Sequence, residues 1–438
     1  MSADTTYDLN WITSVDDHII EPPDLWVTRV PAKYKDVAPR VITEDDGSEH
    51  WVYEDVKNVT GGLGASAGRK PEDITAVGFP YSEMRPGCYD ARARLEDMDK
   101  ANILASLNFP SLPRFCGQLF YEAKDKELAL ICLKAYNDWM VDEWCAVEPG
   151  RFIPLAIIPL WDPLLAVEEL ERVYEKGVRS FCFSENFEPL GLPTIHTGHW
   201  NPVLASANEM DMVLSIHIGS SSTFHRISND SPFMANFSLG MIRPMGCLMD
   251  WIFSGLFQQF PNIKIALSEG SIGWIPWVLE RAKQVYDTQR HWVKKGVALG
   301  NVGPVQDYDM RIDTELIDIY GDYREHFYGC FIDDATGLSM IDVVGEDNIM
   351  LEVDYPHSDC TFPGSPEELW EQLELAECSD PEIAKITHEN ALRWFRFDPF
   401  THVAREEASV GALRARAMTN REERARLEAV ARRDRAGA

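Results

Sequence analysis

Asp16-Asp17-His18-Ile19-Ile20-Glu21 sets a carboxylate, an imidazole and a second carboxylate at the end of a short apolar run. Such groups make poor core material, because each must be paired or bound to something. Similar residues follow other apolar runs: His217 before Ile218-Gly219-Ser220, Glu269 before Gly270, and Asp354 before Tyr355-Pro356-His357-Ser358-Asp359. Taken singly, each has a plainer reading as a satisfied core histidine, a helix cap, or a turn whose Asp accepts backbone hydrogen bonds. Taken together, Asp16, Glu21, Glu269 and Asp354 are four negative charges that would repel and partly protonate in one pocket unless cations neutralised them. Oxygen donors mixed with imidazole, and no thiolate among them, suit one or two divalent ions, Fe, Mn or Zn. The expected metal ligands are Asp16, His18, Glu21, His217, Glu269 and Asp354. Asp354 is also the expected proton acceptor, and His357 a second ligand or general acid.

These residues can meet only if the elements carrying them converge. Residues 11–15 (Trp-Ile-Thr-Ser-Val) are rich in strand-forming types, and alternation along a strand would point Asp16 and His18 the same way. Glu21 follows where that strand should end, close enough for its carboxylate to curl back. The eight strand candidates are 11–16, 102–108, 152–158, 178–183, 212–217, 263–268, 326–332 and 349–354, with helical periodicity between many of them, as at 119–147, 164–176, 200–210 and 274–293. Near-continuous apolar strands separated by helices indicate a parallel sheet covered on both faces. Eight of them predict a (β/α)₈ barrel, with a doubly wound open sheet as the alternative. In such a barrel the strand ends share one mouth, where loops build the site.

Residues 27–90 break this rhythm with charged and proline-rich stretches and the run Gly61-Gly62-Leu63-Gly64-Ala65-Ser66-Ala67-Gly68. No strand-then-helix context and no following Lys-Ser/Thr support a phosphate loop, so the segment reads as a flexible insertion or lid. The barrel is expected over 1–400 and a helical extension over 401–438, rich in Arg, Glu and Ala. A thin stripe of Val410, Leu413, Met418, Leu427 and Val430 would pack on a neighbouring subunit, or the helix would stand solvated. Arg92 and Arg94 are candidates for binding a substrate carboxylate, though a helix surface suits them as well. Trp161 and Trp274 are candidate pocket walls or ordinary core.

The 438 residues are 45% hydrophobic and 26% charged, enough for a sizeable core. A net charge of −30 argues against nucleic acid and anionic membrane as partners, and its plainest meaning is solubility. No segment reads as a signal peptide or a membrane span. The nine cysteines are scattered without a CxxC pair, as expected of buried thiols in a reducing, cytoplasmic setting.

At these residues the chain resembles the amidohydrolase-related family, the branch of the amidohydrolase superfamily that includes aminocarboxymuconate semialdehyde decarboxylase and related aromatic-acid decarboxylases. The resemblance runs from about residue 11 to 398, apart from parts of 27–90. It is supported by Arg94-Leu95-Glu96-Asp97-Met98-Asp99, Asn108-Phe109-Pro110, Asn137-Asp138-Trp139, Arg151-Phe152 and His388-Glu389-Asn390-Ala391. It implies a metal-bearing (β/α)₈ barrel. The family's first-strand His-x-His falls at Asp16-x-His18, its fifth-strand histidine at His217, its sixth-strand histidine at Glu269 and its eighth-strand aspartate at Asp354. Two histidines have become carboxylates, and Glu21 adds another. The pattern Asp-x-His-x-x-Glu resembles a subgroup with dinuclear non-haem iron or mixed-metal centres, which includes a thioester-cleaving enzyme and an oxygenase acting on a small amino acid.

The leading expectation is a metal-dependent enzyme in which a bound water is activated for hydrolysis, or a carboxylate is removed, on a small carboxylate-bearing substrate. The first alternative is a dinuclear iron or iron–manganese oxygenase hydroxylating a small amino or carboxylic acid. The second is a non-catalytic subunit of a hetero-oligomeric enzyme, suggested by the helical tail and acidic surface. A homo- or hetero-oligomer is expected. A buried carboxylate cluster is expensive to keep for structure alone, which favours an enzyme.

Overall fold

β-Branched and aromatic residues form the strands where the apolar runs place them, in a computed structural model that describes residue 8, residues 10–293 and residues 313–421. The first strand, β1 (Thr13–Ile19), is buried along its whole length. A small antiparallel sheet follows, made of β2 (Arg40–Thr43), β3 (Glu49–Tyr53) and β4 (Val56–Val59). Then come β5 (Ala105–Pro110), β6 (Phe152–Ile153), β7 (Leu155–Ala156), β8 (Ser180–Phe183), β9 (Val213–His217), β10 (Lys264–Ser268), β11 (Phe327–Phe331) and β12 (Ile349–Leu351).

Parallel pairing runs β1-β5-β6 in one sheet and β7-β8-β9-β10-β11-β12 in the other. β6 and β7 are one segment interrupted at Pro154, whose nitrogen has no hydrogen for the ladder. That segment therefore joins the two sheets. On the far side Asp354 N–H donates to Asp16 O at 2.9 Å and His18 N–H to Tyr355 O at 2.6 Å, bringing the eighth strand back to the first. The architecture is the expected (β/α)₈ barrel, with all eight strand candidates present in it.

Aspartates start the intervening helices by accepting free N–H groups of the first turn. Asp90 caps Ala91–Ala101, Asp125 caps Lys126–Trp139, and Asp162 caps Pro163–Glu175. Several motifs behind the family resemblance act as buried fasteners. Asn137 bonds both the N–H and the C=O of Ile157, Arg151 holds the carbonyls of Ile103 and Leu104, and Asn390 donates to the carbonyls of Glu346 and Ile349.

The 27–90 region is better held than a flexible insertion. Trp51 and Tyr53 are buried, and Trp51 meets Trp26 edge to face at 5.4 Å. The Tyr81 hydroxyl donates to Glu21 O at 2.6 Å. The glycine-rich run lies across the barrel mouth, with the N–H groups of Ser66 and Ala67 donating to Pro356 O at 2.7 and 3.0 Å.

The tail folds onto its own chain. Residues 410–421 are helical, Val410 and Leu413 are buried, and Met418 is 61% exposed. Val410 N–H and Gly411 N–H bond the carbonyls of Asn10 and Asp8, and Arg414 pairs with Asp8 and Glu367. Leu427 and Val430 lie outside the described residues. All nine cysteines are free thiols, seven of them buried. Among the described residues no helix is long and apolar enough to cross a membrane.

Candidate metal centre

β1 continues past the expected end at residue 16 to Ile19, so Asp16 and His18 sit inside the strand and share its inner face. Asp17 points the other way, where it accepts Ser14 Oγ–H and Tyr355 N–H, each at 3.0 Å, and the Ser106 hydroxyl. Arg94 is fully buried and donates to His18 O at 2.5 Å and Gly87 O at 2.7 Å, which locks the ligand-bearing strand from behind. It binds no substrate from there, and Arg92 is exposed on the same helix.

β9 ends on His217, whose Nδ1 faces Ile218 O, an arrangement that puts the proton on Nδ1 and leaves Nε2 as a lone-pair donor. Glu269 follows β10, and Asp354 lies three residues beyond β12. Both have left-handed backbones, φ +53° and +58°, which cost a non-glycine residue about 1–2 kcal/mol. Such cost collects at sites where the surroundings hold a side chain in a required direction.

The result is one tight cluster. His18 Nε2 lies 3.4 Å from Asp16 Oδ1, 3.1 Å from Asp354 Oδ1 and 3.3 Å from His217 Nε2. His217 Nε2 lies 3.4 Å from Asp16 Oδ2 and 3.1 Å from Glu269 Oε2. His357 Nδ1 lies 2.9 Å from Asp354 Oδ1, and its ring stacks on His18 at 3.7 Å. Donor atoms of His18, Glu269, Asp354 and His357 fall within 4.8 Å of one another, as do those of Asp16, His18 and His217. All four carboxylate oxygens of Asp16 and Asp354 are buried without a well-formed hydrogen bond. Carboxylates left that way fit a cation, and the mixed nitrogen and oxygen set fits a divalent ion.

Glu21 departs from expectation. Its oxygens accept Ser111 N–H and Leu112 N–H, both at 2.9 Å, and so brace the loop after β5 away from the cluster. The strand's extra length carries it past the point where its carboxylate could turn back. Two acids absent from the expected ligand set lie beside the cluster instead. Glu352 accepts Glu269 N–H at 2.9 Å, and Asp359 borders the same cavity. Alternation with Asp354 along 349–354 was the signal for Glu352. Nothing in the local pattern separates Asp359 from an ordinary loop acid.

Charge crowding shows in the protonation equilibria. Burial, then Glu352, Asp354 and Glu269, push Asp16 well up. Burial and Asp354 raise Glu269, and burial raises Glu352 strongly. Burial and the neighbouring imidazoles hold His18 well below the usual histidine range, suiting a neutral ligand. For His357, burial lowers the value, but Asp354 with Glu269 and Asp359 overrides it and lifts the imidazole to about 9.

Above the cluster opens a cavity of about 510 Å³. Phe115, Ile218, Phe224, Phe237 and Met241 give it apolar walls, and Glu269 and His357 reach it from the cluster. Phe115 also stacks on His217 at 3.9 Å. Neither Trp161 nor Trp274 borders this cavity; the Trp274 indole N–H is used on Gly270 O.

The sequence profile of the Amidohydrolase family matches residues 26–397. The chain is 25% identical over 337 residues to a gamma-resorcylate decarboxylase of Rhodococcus jostii (strain RHA1), covering 73% of this chain and 92% of the relative. An amidohydrolase structure from Mycobacterium avium subsp. paratuberculosis K-10 superposes with a TM-score of 0.62 at 20% identity, covering 88% of this chain and 99% of the other. A dihydroxybenzoic acid decarboxylase structure from Polaromonas sp. JS666, with bound manganese and the inhibitor 2-nitroresorcinol, superposes at 0.53 and 18% identity, covering 90% and 99%.

Proposed function

The chain belongs to the Amidohydrolase family, and from that premise we propose that it is a metal-dependent decarboxylase acting on a small, carboxylate-bearing aromatic substrate. It is an enzyme of the family's hydrolase and lyase kind. The observation that carries the proposal is the convergence of Asp16, His18, His217, Glu269 and Asp354, with His357 beside them, next to a cavity that Glu269 and His357 reach and that Phe115, Phe224 and Phe237 help to wall. The decarboxylase relatives support removal of CO₂ over hydrolysis, and they lend the oxygenase alternative no support.

Asp16, His18, His217, Glu269 and Asp354 would hold the ion. A divalent ion held there supplies the positive charge that draws in a substrate carboxylate and polarises it. The chain's own residues do the rest. Apolar walls from Phe115 and Phe237 orient a ring and keep water from it. Asp354 keeps His357 protonated through the 2.9 Å contact with Nδ1, leaving the Nε2 proton available to the cavity. As the bond between ring carbon and carboxylate breaks, its electron pair stays on carbon, and His357 Nε2–H delivers the proton that forms the new C–H bond.

Manganese-loaded protein incubated with 2-hydroxy- and 2,6-dihydroxybenzoates tests this. The expected result is CO₂ release from at least one of them, reduced by several orders of magnitude in Asp354→Asn. Hydrolysis of esters or amides of the same acids, without CO₂ release, would replace the proposal with a hydrolase.

A further inference from the structure

The cavity beside the metal cluster is larger than a single aromatic acid needs. Cavities of about 300–1,000 Å³ take drug-sized molecules. At about 510 Å³, this one would be left partly empty by a benzoate-sized acid held at the cluster. An apolar wall leads away from the cluster into the remaining space. Ile218 directly follows the candidate ligand His217, and Phe224, Phe237 and Met241 come after it, ahead of the helix Ile242–Ile252. Phe115 joins this wall, stacked on the His217 ring at 3.9 Å. Its seat is open because residue 219 is a glycine at φ +91°, where a Cβ would come within 2.8 Å of the Phe115 ring.

The apolar wall continues past the rim. Phe224 is 75% exposed, Phe237 57%, and Leu63 of the glycine-rich run 44%, yet all three also line the cavity. Phe233, exposed as well, stacks on Phe237 at 5.3 Å and carries the apolar surface outward. Single exposed apolar side chains are ordinary, but a group of them leading into a cavity marks a binding surface. The charged lining decides what can lie there. Glu269, Asp333, Glu352 and Asp359 border the same cavity and oppose a second anion, and the Arg243 guanidinium is taken up by Glu185 and Ser221. A second copy of the chain seated on these rings would cover the mouth itself. Their place on the cavity wall therefore favours a ligand that enters through it.

We propose that the substrate's carboxylated ring continues into an uncharged apolar extension, a fused ring or a short alkyl chain, which runs outward from Phe115 and is covered by Phe224, Phe237 and Leu63. The inference rests on the reading of this cavity as a site for carboxylate-bearing aromatic substrates, and it adds their size and the character of their far end.

Calorimetric titration of the manganese-loaded full chain with salicylate (2-hydroxybenzoate) and with 3-hydroxy-2-naphthoate, which adds a fused ring at the edge remote from the carboxylate, tests it. Each CH₂-sized group taken out of water is worth about fourfold in affinity, so a fused ring partly covered at the rim should bind about tenfold to a hundredfold tighter. Phe224→Ser and Leu63→Ser, both at exposed positions and with normal melts expected, should each cut that preference severalfold, whereas Phe224→Leu keeps most of it. Equal binding of the two acids to wild type, or a preference unchanged in both serine variants, overturns the extension and leaves the metal site standing. Light scattering on the same proteins reads the other occupant. A wild-type oligomer that dissociates in Phe224→Ser makes the rings a contact between copies and overturns the extension too. If neither acid binds, the extension falls together with the carboxylate-substrate reading.

Discussion

Replacing Asp16 with Asn should act in opposite directions on the metal-free and the metal-loaded protein. Asp16 is 0% exposed, both its oxygens lack a well-formed hydrogen bond, and Glu352, Asp354 and Glu269 all oppose its charge. Without metal, the Asn variant removes a crowded acid and should melt at the same temperature as wild type or higher. With metal, it removes an oxygen that faces both His18 and His217 at 3.4 Å. An ion present at a hundred times its dissociation constant stabilises the fold by about 2.7 kcal/mol. A hundredfold loss of affinity leaves about 0.4 kcal/mol under the same conditions. Average unfolding entropies convert these figures to a metal-induced shift of about 3 °C for wild type and under about 1 °C for the variant. Thermal melts of chelator-treated protein titrated with Mn(II) read both. An Asn variant that melts several degrees lower without metal, yet keeps the full metal-induced shift, would refute the ligand role and make Asp16 a structural acid.

Three further outcomes follow from the geometry around the cluster. Arg94→Met removes two buried charge-assisted hydrogen bonds to His18 O and Gly87 O and should cost about 3 kcal/mol in chemical denaturation. Burial pushes Glu21 up to about 7 from 4.5, despite the two backbone N–H groups it accepts. Its favourable contribution is therefore complete below about pH 4.5 and lost as pH rises through 7, so wild type should lose about 3 kcal/mol relative to Glu21→Gln across that window; a difference that is flat with pH would contradict it. A Cβ at Gly64 would sit 3.8 Å from the His357 ring in ordinary contact, with no left-handed backbone to forbid it. Gly64→Ala should therefore keep activity, whereas Gly64→Leu should displace the imidazole and lower turnover at least tenfold.

The barrel was legible because parallel strands buried on both faces read as apolar runs whichever way the side chains point. Pro154 was the exception, splitting one strand into β6 and β7 without changing its place in the barrel. Cluster residues could be found because each stands at or near the end of such a run, which a barrel gathers at one mouth. Glu21 was misread because strand length is the least certain feature of a short apolar run, and three added residues redirect the carboxylate that follows. Arg243, which lines the cavity, and its ion-pair partner Glu185 left no local pattern. Their pairing joins residues 58 apart in sequence through tertiary packing alone. The glycine-rich run looked loose for a similar reason, since what holds it is Pro356, almost three hundred residues away.

Metal content tests the central claim most directly. Elemental analysis of the full chain purified without chelator should find at least one Fe, Mn or Zn per chain, lost in His217→Ala while the circular dichroism spectrum stays that of wild type. Folded wild-type protein that carries none of these ions and takes up none from micromolar Mn(II), Fe(II) or Zn(II) would contradict the metal centre.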